Sequence, residues 1–111
     1  MEHYITQKKN SKIWNNKLLL QKIYSNYYNI IKNNLIDGTT LEIGSGNGNI
    51  KETIKECITS DTFENKGIEL VQSVYNLKFK SNSVSNVILI DVFHHIKYSG
   101  MALSELSRVL K

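Results

Sequence analysis

The segment Glu42-Ile43-Gly44-Ser45-Gly46-Asn47-Gly48 places a carboxylate two residues before three alternating glycines. Glycine tolerates positive φ and lets the backbone approach a ligand with no Cβ in the way. A helix following such a turn would offer free N–H groups and a partial positive charge, suited to a carboxylate or phosphate. Spacing narrows the ligand. A dinucleotide fingerprint, G-x-G-x-x-G, needs its third glycine at position 49 or 51, and these positions hold Asn49 and Lys51. The phosphate loop G-x-x-x-x-G-K-[ST] is absent from the sequence as well. A second carboxylate, Asp61, falls nineteen residues after Glu42, a spacing at which an acid can accept hydrogen bonds from vicinal ribose hydroxyls. Asp91, His94 and His95 cluster after an aliphatic run. One of these histidines could serve as a general base; equally, both could pack against or cap the turn.

The elements that must hold these groups follow from periodicity. Thr39 to Ile43, β-branched and aliphatic, predicts the strand that delivers Glu42 into the glycines. Residues 49–56 read as a short helix with Ile50 and Ile54 inward, and Cys57-Ile58-Thr59 as a short strand ending at Asp61. Ile68 to Val71 is a weaker strand candidate. Asn86 to Asp91 reads as a central parallel strand, since continuous aliphatics suit burial on both faces. Met101 to Leu110 predicts a helix with Leu103, Leu106, Val109 and Leu110 on one side. From Lys12 to Leu35, apolar residues including Ile13, Trp14, Ile23, Tyr24, Tyr27, Ile30 and Ile31 recur at helical steps, and Asp37-Gly38 is expected to end that helix with a left-handed cap. Its tyrosines, with Tyr28, read as core rather than as a stacking platform. Strand and helix alternate after residue 38, which predicts an α/β fold: a Rossmann-like, doubly wound, mostly parallel sheet of about four strands preceded by an N-terminal helix. The expected division is 1–38, a basic amphipathic helical segment, and 39–111, the sheet domain.

Composition bounds the function classes. The 111 residues, 41% hydrophobic and 22% charged, describe one globular domain. The longest aliphatic run, Val87 to Ile90, is far short of the roughly 20 residues needed to span a bilayer. Met1-Glu2-His3-Tyr4 lacks the charged and apolar regions of a signal peptide. A lone cysteine, Cys57, suits a reducing compartment, so a cytoplasmic location is expected. With three histidines and one cysteine, no metal site is expected. Residues 1–36 carry six Lys against one Glu, while the remainder carries eight basic residues against nine acids. A basic segment could meet nucleic acid or a membrane surface, but dispersed lysines read more simply as a solvated helix face, so no nucleic-acid partner is expected.

The E-x-G-x-G-x-G turn, Asp61 in register behind it, and the stretch from Leu77 to Ile96 together resemble the class I S-adenosylmethionine-dependent methyltransferases. The closest likeness is to the type 11 small-molecule group, over about residues 39–111. That resemblance implies S-adenosylmethionine as cofactor and in-line transfer of its methyl group to a small-molecule acceptor. It also implies a cofactor site: Glu42, Gly44, Ser45, Gly46 and Gly48 toward the methionine and ribose, Asp61 at the ribose, Ser73 and Val74 at the adenine, and Asp91 after the fourth strand. His94 and His95 are the candidates for catalysis. Three positions depart from the family pattern. Lys78 stands where proline is usual, Ser73 where an aspartate reads the adenine amino group, and Asn86 where an aspartate opens the fourth strand. The family continues past the last helix with further strands, so the chain is expected to be C-terminally truncated, with its fourth strand left as an open aliphatic edge. An inactive interaction module, pairing with itself or a partner chain through that edge, is the alternative reading.

Overall fold

In a computed structural model of the chain, residues 18–111 are described. The expected helix start at Lys12, with Ile13 and Trp14, lies outside them, as do Tyr4 and the first lysines. Helix α1 spans Leu18–Asn33, strands β1 to β4 span Thr40–Ile43, Ile58–Asp61, Leu70–Val71 and Asn86–Leu89, and helix α2 spans Ser99–Val109. The four strands form one all-parallel sheet in the order β3-β2-β1-β4. β1 is central, with Leu41 opposite Ile58 on one side and Val87 on the other. Among the described residues β4 is the end strand, and its outer side borders a groove shared with Leu103, Leu106 and Leu110.

Strand alternation sorts the side chains into two layers. Leu41 and Ile43 point to the α2 side, where they join Val74, Leu77, Val84, Ala102, Leu106 and Val109. Ile88 points to the α1 side, into a layer with Tyr28, Ile50, Ile54 and Cys57. Both faces are therefore covered, which is what a parallel sheet requires. The segment after β3 is pinned to α2 by a charged clamp. Arg108 donates to both Glu105 oxygens, at 2.7 and 2.8 Å, and to the Leu77 carbonyl at 3.1 Å; Glu105 Oε2 in turn accepts the Leu77 N–H at 2.6 Å. The Arg108 hydrogen bonds, helped by that N–H, hold the Glu105 carboxyl down to about 2.

Three expectations need correction. Leu103 is not part of the inner face of α2: it is 54% exposed, and the small Ala102 takes the buried place where helix and sheet approach closely. The first helix stops at Asn33, where Asn34 Nδ2 donates back to the Ile30 carbonyl at 2.7 Å, so Gly38 does not cap it. Gly38, at φ +124, instead lets the chain enter β1 beside Ser85, whose Oγ would lie 2.0 Å from an added Cβ. Residues 49–56 hold only a single 3-10 turn, Asn49–Glu52; Ile50 within it and Ile54 just after it are nevertheless fully buried.

Asn86 has a structural reason to be an amide. Its Oδ1 accepts the Ile36 N–H at 3.0 Å while its Nδ2 donates to the Ile36 carbonyl at 2.8 Å and to Thr40 Oγ1 at 3.0 Å. A carboxylate supplies no donor and would face a carbonyl oxygen. Asn86→Asp is expected to lower stability by about 1–2 kcal/mol, read as a reduced urea midpoint at pH 7.

Candidate functional site

The glycine turn leaves β1 and is tied to the end of β2 by a small network. Ser45 N–H donates to the Ser60 carbonyl at 2.9 Å, and Ser60 N–H returns a bond to Ser45 Oγ at 3.0 Å. Gly46 N–H donates to Asp61 Oδ2 at 3.0 Å, and Asn65 Nδ2 donates to the Gly46 carbonyl at 2.8 Å. Asp61 Oδ1 accepts the Thr62 N–H at 2.7 Å. Each carboxylate oxygen of Asp61 is thus oriented by a backbone donor and keeps a further lone pair for a ligand. An added Cβ at Gly46, at φ +60, would meet nothing within 4 Å among the described residues.

That space is a cleft of two lobes. The smaller, about 360 Å³, lies between α1 and the turn and is lined by Leu20, Tyr24, Tyr28, Glu42, Ser45 and Gly46 among others. The larger, about 640 Å³, runs over the ends of β2 and β3 and is lined by Asp61, Phe63, Gln72, Ser73, Val74, Tyr75, Asp91, Val92, His95 and Ile96 among others. Gly44 and Ile90 line both lobes and form the waist between them. Tyr24 of α1 spans the waist, its hydroxyl donating to Asp91 Oδ2 at 3.3 Å. Asp91 sits at φ +55, a left-handed backbone that costs a non-glycine residue about 1–3 kcal/mol and tends to persist at functional sites.

Glu42 is the buried carboxyl of the smaller lobe. It projects from β1 toward the α1 layer, is 4% exposed, and its Oε1 has no hydrogen-bond partner among the described residues. Burial raises its carboxyl to about 7; the Ser45 hydroxyl opposes the shift and the nearby Asp61 charge adds to it. The Tyr28 hydroxyl above it is raised as well, chiefly by burial and then by Glu42.

The cleft brings together most of the residues expected from the sequence. Glu42, Gly44, Ser45 and Gly46 line the smaller lobe; Asp61, Ser73, Val74, Asp91 and His95 line the larger. Gly48 is outside both linings, its backbone packed on Gly67. His94 is likewise outside them, its ring centroid 3.9 Å from that of His95. Sequence reasoning missed Tyr24 as a strap, Phe63 and Tyr75 as lining, and Gln72. For Tyr24 the available signal was its spacing of four from Tyr28 on one helix face; for Gln72 it was an amide placed directly after the apolar pair Leu70-Val71.

Residues 41–111 match the model of a family described as methyltransferase domain. No curated protein matches the chain by sequence. Among solved structures, a SAM-dependent methyltransferase from Thermotoga maritima, described as a candidate histamine N-methyltransferase, superposes with a TM-score of 0.78 at 22% identity, over 99% of this chain and 56% of its own. A proposed S-adenosyl-L-methionine-dependent methyltransferase from Methanococcus maripaludis gives 0.79 at 23% identity, over 95% and 57%. A SAM-dependent methyltransferase from Aquifex aeolicus gives 0.60 at 22% identity, over 75% and 57%. The chain therefore spans somewhat over half the length of each of these structures.

Proposed function

Since the chain belongs to the methyltransferase-domain family, whose cofactor is S-adenosylmethionine, we propose that it holds this cofactor in the two-lobed cleft and serves methyl transfer to a small-molecule acceptor. The observation that carries the reading is Asp61, fixed at the end of β2 by the Gly46 and Thr62 N–H groups with lone pairs to spare for a ribose diol. A further feature supports the fit. The orphaned Glu42 Oε1 in the smaller lobe calls for a cationic partner such as an α-ammonium group.

When bound, S-adenosylmethionine supplies an already activated methyl group, so the protein's share of the work is alignment and exclusion of water. Asp61 would accept from the ribose hydroxyls, and Glu42 would hold the amino-acid end. The apolar side chains of Val74, Val92 and Ile96 would cover the base, and Tyr24, bonded to Asp91, would close the waist from the α1 side. His95, exposed at the larger lobe, is the residue on hand to take a proton from the acceptor. Screening small amines and phenols for release of S-adenosylhomocysteine should identify a working acceptor. With it, His95→Ala is expected to lower turnover about 10- to 100-fold at unchanged cofactor affinity; unchanged turnover removes His95 from that role.

The reading is tested by calorimetric titration with S-adenosylmethionine and S-adenosylhomocysteine, beside an Asp61→Ala variant. Both ligands should bind, and the variant at least about 10-fold more weakly, the scale of a lost charge-assisted hydrogen bond. Absence of heat and of any thermal shift overturns it. A cytoplasmic setting belongs to the same proposal: the one cysteine, Cys57, is buried, with burial pushing its thiol up to about 12, and needs no oxidising compartment. No described helix is long and apolar enough to cross a membrane.

A further inference from the structure

One polar group in the larger lobe has no part in the proposal above. Gln72 follows β3, is 7% exposed, and donates its backbone N–H to the main-chain carbonyl of Asp61 at 2.9 Å, so it adjoins the residue whose carboxylate would hold the ribose. Its side-chain amide is half satisfied. Oε1 accepts the Lys78 N–H at 2.9 Å, whereas Nε2 is buried with no hydrogen-bond partner among the described residues. The Lys78 bond fixes which end is which: an amide turned end for end would set two donors against each other. A proline at position 78 would have no N–H to give, so the departure to lysine is what makes this orientation available. Buried donors left without an acceptor are rare in native proteins and call for an explanation.

The surroundings say what would satisfy it. The lobe also contains Phe63, Val74 and Ile96, apolar surface suited to a flat ring, with Asp61 at its ribose end. Ser73 Oγ already accepts the Tyr75 N–H at 3.1 Å, so its remaining proton adds a second donor. The polar side chains along this stretch, Gln72 and Ser73, thus offer donors, and a purine base answers donors through the lone pairs of its ring nitrogens. An amide is also the side chain whose geometry suits an adenine edge. The geometry points to Gln72 as the residue that reads the nucleobase, its Nε2 donating to a purine ring nitrogen while the Lys78 N–H holds the amide in register. This inference rests on the cofactor reading proposed above.

The test compares S-adenosylhomocysteine with its 1-deaza, 3-deaza and 7-deaza analogues by calorimetry, on the full chain and on Gln72→Glu, which keeps an oxygen for Lys78 but loses the donor. One deaza analogue should bind the wild-type chain at least 10-fold more weakly than the parent. Gln72→Glu should bind the parent at least 10-fold more weakly and no longer distinguish that analogue from it. If Gln72→Glu fails to fold by circular dichroism, Gln72→Met, similar in shape and without a donor, carries the same comparison. Equal binding of all four ligands by the wild-type chain overturns the inference and leaves the cofactor reading standing. Discrimination that survives in the variant also overturns it, because another donor then reads the ring. Failure of S-adenosylhomocysteine itself to bind overturns the cofactor reading, and the inference with it.

Discussion

Gly67→Ala is expected to lower stability by about 3 kcal/mol or more and to cost most of the cofactor affinity, although Gly67 lines neither lobe of the cleft. An added Cβ at Gly67 would lie 1.9 Å from the Asn47 carbonyl oxygen and 2.5 Å from its carbon. The reciprocal contact is just as close, since a Cβ at Gly48 would lie 2.2 Å from the Gly67 carbonyl oxygen. Both obstacles are backbone, and neither strand of the contact can easily retreat. Gly67 N–H donates to Asn65 Oδ1 at 2.8 Å, and its carbonyl accepts from the buried Thr59 Oγ1 at 2.7 Å. The turn opposite is held by the Gly48 N–H on the Ser45 carbonyl at 2.9 Å and by the bonds from Gly46 to Asp61 and Asn65. An intruding methyl must therefore push the glycine turn off the end of β2, which carries Gly46 away from Asp61. Gly100→Ala is the control: that site sits in the exposed first turn of α2 with nothing within 4 Å of an added Cβ among the described residues, and should gain up to about 1 kcal/mol. Urea denaturation of the two variants gives the comparison. A Gly67→Ala midpoint equal to that of the wild-type chain would mean that the turn and the loop are not in contact in solution.

Gly67 also marks where sequence reasoning reaches its limit. β1 and β4 were legible because Thr40, Leu41 and Ile43 are β-branched or aliphatic around Glu42 and Val87 to Leu89 is an unbroken aliphatic run, and Asp61 because an acid closed the next β-prone segment. The turn declared itself by its alternating glycines. Its supporting surface did not, because a single glycine between Lys66 and Ile68 carries no pattern that ties it to a residue about twenty positions earlier. The first helix was legible as a helix, but its buried face was not. Its apolar residues occur nearly all round, so helical spacing could not choose a face; the sheet selects Tyr24, Tyr28, Ile31 and Leu35, and leaves Ile23, Tyr27 and Ile30 exposed. On α2 the reading favoured Leu103 over Ala102 on hydrophobicity, whereas the close approach of helix to sheet selects for small size. Gln72 and Tyr24 were missed for a common reason. Each acquires its meaning from a distant partner, Lys78 N–H for one and Asp91 for the other.

Glu42→Gln is expected to stabilise the protein at pH 8 and, at the same time, to weaken its hold on the cofactor. The carboxyl of Glu42 stands at about 7 in the folded chain against an ordinary 4.5, with burial as the main cause. Between those two values the folded state keeps a proton that the unfolded state has released, so stability falls as pH rises from about 4.5 to about 7 and stays reduced above. A gap of this size corresponds to about 3 kcal/mol at pH 8, a large share of the roughly 5–15 kcal/mol that a small domain has in all. Glutamine is never charged, so the variant should show no such decline between pH 5 and pH 8, and its urea midpoint should lie above the wild-type value at pH 8. A buried carboxylate that weakens the fold is unlike a packing residue, but it fits a site that awaits a cation. An ammonium group beside Oε1 would stabilise the ionised form and draw its pKa back down. Binding of S-adenosylhomocysteine near pH 7 should then release a fraction of a proton, measurable as a dependence of the calorimetric enthalpy on buffer ionisation, and affinity should rise from pH 6 to pH 8. The Glu42→Gln variant should lose both effects and bind about 10-fold or more weakly. A variant that is no more stable at pH 8, or that keeps wild-type affinity and proton release, would show that the titrating group and the cation's partner lie elsewhere.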